Sequence, residues 1–142
     1  MAFDLEELKK KSTAAHGIVA EYNAFVDAFV QKEVMPKADK VVAGMLSEFN
    51  RAAHKAANEG RNYAHESFSF FGKGNVFQGL DEKFERKAKK YAISPCYPHI
   101  SHLGRKIRAV FSEKIRVTEP NIVIRAAEDA YDACRIELTL NW

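Results

Sequence analysis

At 142 residues, with 46% hydrophobic and 29% charged side chains, the chain has the makeup of one globular domain able to bury a core without disulfides or metal, which excludes a disordered polypeptide. Its net charge is only +3, and the two cysteines, Cys96 and Cys134, stand far apart and form no disulfide framework. The first residues are acidic, not basic, and no apolar run reaches the roughly 20 residues of a membrane span, so we expect a cytoplasmic or otherwise intracellular protein without a membrane partner.

A first helix is signalled by Asp4 as N-cap, Glu7 three residues on, and Phe3 with Leu8 placed to staple the entry. The series Leu5, Leu8, Ser12, Ala15, Val19, Tyr22, Val26, Phe29 then alternates threes and fours, the seam of a helix that packs lengthwise on another. Ser12 and Ala15 make the first half of that seam thin, and Phe25 and Val30 broaden the second. Pro36 removes an amide donor and crowds the preceding turn, so the helix must end or kink near Val34 and Met35. Helical spacing resumes at Val42, Met45, Leu46, Phe49, Ala53 and Ala56, and Gly60 is placed to follow the helix end. The spacing predicts two antiparallel helices joined near Pro36, with one long kinked helix as the competing arrangement.

Residues 67–77 combine alternating phenylalanines with Gly72-Lys73-Gly74-Asn75, the composition of a short hairpin. The glycines lack the spacing and the strand-loop-helix frame of a phosphate-binding loop. Asp81 can cap a helix from Glu82 to about Ala92, with acids in its first turn and Lys87, Lys89 and Lys90 in its last, both favourable to the helix dipole. Pro95 and Pro98 stop that helix, and Ile100, Leu103, Ile107, Val110 and Phe111 begin another. On it His99, His102 and Lys106 share one side, and Arg105 and Arg108 occupy the adjoining one.

Ile115 and Val117 alternate as a strand would, a turn or helix start follows at residues 118–121, and residues 122–125 fit strand or helix. Residues 126–133 are helical by composition. The strict alternation of Ile136, Leu138, Leu140 and Trp142 is the clearest strand in the chain, predicted to serve its own sheet or a subunit contact.

The expected fold is therefore α+β in a single domain, residues 1–142, helical over residues 1–60 and mixed α/β over residues 61–142. It comprises an N-terminal antiparallel helical pair, further short helices and a small antiparallel sheet that includes the C-terminal strand.

Charge is distributed unevenly: residues 83–108 carry eight basic side chains against Glu85, a local +7, while residues 117–142 sum to −3. Lys87, Lys90, Arg105, Lys106 and Arg108 are the candidate surface for nucleic-acid phosphates or an acidic protein face. No nucleic-acid-binding motif accompanies them, and capping alone accounts for the lysines of the first half. Cys96, His99 and His102 make a Cys-x2-His-x2-His spacing whose ligand types suit zinc, though no fourth ligand is placed and no standard module has this spacing. Cys96 beside histidine and positive charge also has the surroundings of an activated thiol, without a catalytic signature.

The reading that follows is a non-enzymatic homo-oligomeric binding or assembly protein, without cofactor, using helix-helix and terminal-strand contacts. Nucleic-acid binding through residues 83–108 is the first alternative, and a small enzyme or ligand binder with a Cys/His site the second.

Overall fold

The structure, a computed structural model, describes residues 2–69, 80–91, 97–125 and 135–142. Helix α1 spans Leu5–Phe29, a π-helical turn spans Val30–Val34, and α2 spans Met35–Asn58. Strand β1 (Tyr63–Ser69), helix α3 (Leu80–Ala88) with a 3₁₀ turn at Lys89–Tyr91, and helix α4 (Tyr97–Thr118) follow. Strands β2 (Val123–Arg125) and β3 (Arg135–Asn141) complete the described elements. The α+β class and the small antiparallel sheet with the C-terminal strand are those read from the sequence.

The expected antiparallel pair is replaced by the kinked-helix arrangement. Backbone angles stay right-handed helical at Phe29, Val30, Val34 and Met35, and the Met35 amide donates to the Val30 carbonyl, five residues back. Pro36 is the physical reason: its ring would collide with the Lys32 carbonyl in an unbroken α-helix, and a widened turn relieves the collision without ending the helix. The combined helix is about 80 Å long at 1.5 Å per residue. Asp4 caps its start, accepting from the Glu7 amide at 3.0 Å. Its end is a Schellman motif: Gly60 takes φ +83°, its amide donates to Ala57, and the Arg61 amide donates to Ala56.

One stripe of the long helix is buried, from Tyr22 through Val26, Phe29, Val34, Ala38, Val42, Met45 and Phe49 to Ala56. Helix α4 covers it with Leu103, Ile107, Phe111 and Ile115, all without exposed surface. Ile115 continues that four-residue spacing, so residues 115–117 are helical, not the expected strand, and Val117 points to solvent. Ion pairs fix the direction of packing, because His102 and Lys106 meet Asp27 while Lys114 meets Asp39, so α4 runs parallel to the long helix.

The sheet has the order β1-β3-β2, with β3 antiparallel to both neighbours. The terminal strand is thus central: Phe68 pairs with Ile136, Ala64 with Leu140, and Ile124 with Leu138. Residues 123–125, open to two readings in the sequence, are strand because their partner 137–139 offers a ladder that an isolated tripeptide cannot supply. Strand β1 starts at Tyr63, earlier than the phenylalanine alternation suggested, and its partner is β3. The second half of the expected hairpin (residues 70–77) and the Ala-rich helix (126–133) lie outside the described residues. Among the described residues no helix is long and apolar enough to cross a membrane.

Candidate functional site

Three acids of the long helix organise the basic side chains. Glu33 sits in the π-turn, buried to 8% exposure among Val30 and Val34, and accepts from Lys83 Nζ at 2.8 Å with Lys87 Nζ at 3.8 Å. The Lys83 hydrogen bond holds its carboxyl below the ordinary value of 4.5; burial opposes this, and the fields of Lys83, Lys87 and Lys32 add to it. Asp27 lies 3.5 Å from Lys106 Nζ and 3.4 Å from His102 Nε2. That imidazole nitrogen is buried and makes no well-formed hydrogen bond, so its relation to Asp27 is proximity without alignment. Asp39 accepts from Lys114 Nζ at 2.6 Å.

Each half of the basic stretch therefore sends cations to acids of the long helix, Lys83 and Lys87 to Glu33 and Lys106 to Asp27. Of the residues singled out for phosphate or partner contact, Lys87 and Lys106 are engaged with acids, and Lys90 lies 5.1 Å from the ring of Tyr91. Arg108 is half-buried and Arg105 is exposed. The shared side expected for His102 and Lys106 is observed, with Asp27 as what they share. Cys96 and the side chain of His99 lie outside the described residues, and with them the Cys/His site; no group of three metal-ligating side chains occurs among the described residues.

Helix α3 is held against the long helix by aromatic rings. Phe84 meets Phe29 edge-on at 5.2 Å and stacks with Phe25 at 5.7 Å, while Tyr91 meets Phe25 at 5.1 Å and Tyr22 at 5.9 Å. Beside this cluster runs an open groove of about 500 Å³ lined by Phe25, Lys32, Glu33, Arg86, Lys87 and Lys90, together with the largely buried Phe29. Sequence reasoning missed the groove because Phe25 read only as broadening the buried face of the first helix. The charge excess of residues 83–90 was its signal, and the contribution of Lys32 was not foreseeable without the packing.

The second feature is the N-terminal portion of α1. Every residue from Ala2 to Ile18 is exposed, and the core begins at Tyr22. Phe3, Leu5 and Leu8 keep 79%, 64% and 52% of their surface, so the expected Phe3–Leu8 staple buries little. Comparison with family models, curated proteins and solved structures finds no match. Function is therefore read from the groove and the projecting helix.

Proposed function

We infer that this protein is a non-enzymatic assembly protein that self-associates through its N-terminal helix. The observation that carries the reading is the projecting segment of residues 3–21: a helix with an apolar seam, exposed at every residue from Phe3 to Ile18. A helix of this length is marginal in water without packing, and Gly17 with Ser12 and Thr13 weakens it further. Leu5, Leu8 and Ile18, all exposed, are the surface a partner would cover. The terminal strand contributes no free ladder on its β1 side, because every residue from Arg135 to Asn141 has a partner there, so the helix is the contact we assign. The internal use of Lys87 and Lys106 weighs against the nucleic-acid alternative.

Sedimentation equilibrium across low to high micromolar protein tests the reading. We expect a discrete oligomer for the full chain and a folded monomer once residues 2–17 are removed. A strict monomer at tens of micromolar would overturn it, and retardation of DNA or RNA at low salt by that monomer would favour the nucleic-acid alternative.

A further inference from the structure

We propose that the groove beside α3 binds a short acidic peptide segment of a partner protein, one that carries a single apolar side chain between carboxylates. This goes beyond self-association through residues 3–18 and does not depend on it.

The groove combines two chemistries over a short distance. Lys32, Arg86, Lys87 and Lys90 line it with the carboxylate of Glu33, a net of +3. Glu33 is already engaged at 2.8 Å by Lys83, which does not line the groove, while Lys87 stands farther off at 3.8 Å. The cationic excess of the groove is therefore not cancelled by its own acid. Lys32, Arg86 and Lys90 are exposed. Beside these charges Phe25 is half-buried and Ala28 exposed, so an incoming apolar side chain meets a ring and a methyl group. A carboxylate next to that side chain meets a cation, and Arg86 can take one through two parallel hydrogen bonds.

Length decides against an extended polyanion. Helix α3 runs antiparallel to α1, since Lys83 reaches Glu33 and Tyr91 meets Tyr22. Phe25 and Lys32 are seven residues apart, about 10 Å along the helix. One turn further along the same helix faces stand Glu21, four residues before Phe25, and Glu82, four before Arg86. Both are exposed, and the antiparallel packing sets them at opposite ends of the groove. A single-stranded nucleic acid engages about four or more nucleotides per binding unit, so its phosphates would run onto those acids. An extended peptide advances about 3.4 Å per residue, so three residues span the groove: one apolar side chain with a carboxylate on either side. A free small anion is disfavoured for a different reason, because small-molecule sites enclose most of their ligand and this groove is open.

Titration calorimetry of the full chain at low salt with the blocked peptide Asp-Glu-Phe-Glu-Asp tests the assignment. K32E with R86E should weaken binding at least about tenfold by reversing the charge, and A28W should do so by filling the apolar patch with the charge unchanged. All three positions are exposed, and circular dichroism verifies that the variants fold. Exchanging the four carboxylates of the peptide for amides, or its phenylalanine for glycine, should each cost a similar factor. An oligothymidylate of eight nucleotides and phenylacetate represent the competing ligand classes, and both should bind more weakly than the peptide. Absence of peptide binding at millimolar concentration, binding that either protein variant or either peptide exchange leaves unchanged, or tighter binding of either competitor would overturn the proposal. None of these outcomes bears on the oligomeric state, which sedimentation reads separately.

Discussion

Phe84→Ala tests how α3, and with it one wall of the groove, is held. Leu80 and Phe84 are the residues through which α3 enters the core, and the Phe84 ring touches Tyr22, Phe25 and Phe29 at centroid distances of 6.4, 5.7 and 5.2 Å. Truncating a buried phenylalanine costs about 3–5 kcal/mol, and the ring-ring geometry adds about 0.5–1.5 kcal/mol per pair beyond area. These contributions overlap, so about 4 kcal/mol is the expectation, lowering the melting temperature by about 10–15 °C at this chain length. Phe84→Leu keeps most of the apolar volume and loses the ring contacts, so it should cost about 1–1.5 kcal/mol. Urea denaturation of the three proteins supplies the free energies, and amide exchange across residues 80–91 reports whether α3 undocks alone. A Phe84→Ala protein within about 0.5 kcal/mol of wild type, with unchanged exchange in α3, would refute the aromatic clamp.

Other perturbations separate the remaining contributions. Because the Glu33 carboxyl is lowered in the folded state, its contribution is complete above the unfolded value and is lost as pH falls through the folded one; Glu33→Gln should flatten the acid side of the stability profile below about pH 4.5, read from urea midpoints between pH 3 and 6. Leu138→Ala, at a fully buried site in the central strand, should cost about 2–5 kcal/mol by the same assay. Lys114→Ala should cost no more than about 1 kcal/mol despite its 2.6 Å contact, because Asp39 is 89% exposed.

The elements of the fold that were legible in the sequence are those fixed by local chemistry. Asp4, Gly60 and the alternation of residues 136–142 act through their own backbone or their immediate neighbours, and each does what its residue type dictates. The antiparallel pair failed at Pro36 because a proline states only that the regular hydrogen bond is lost. Whether the chain then turns back or widens by one residue depends on what covers it, and α4 lies across the π-turn. Ile115 and Val117 failed for a related reason, since two alternating apolar residues fit a strand until Leu103, Ile107 and Phe111 extend the four-residue spacing through them. The basic stretch was legible as charge and not as function, because the acids that engage it, Asp27 and Glu33, lie some fifty to eighty residues earlier in the chain.

The placement of those acids links the packing of α3 to the groove. Two lysines from α3 converge on Glu33, so α3 is anchored where the helix widens, and its outward basic residues, Arg86 and Lys90, are thereby held at the groove. On the opposite register, Lys106 and His102 settle on Asp27, which fixes α4 along the other flank. With both flanks occupied from Tyr22 onward, the seam among the described residues is exposed at Leu5 and Leu8, before Tyr22. The same packing that builds a cationic groove on residues 25–33 therefore leaves an acidic, apolar turn projecting from residues 3–8.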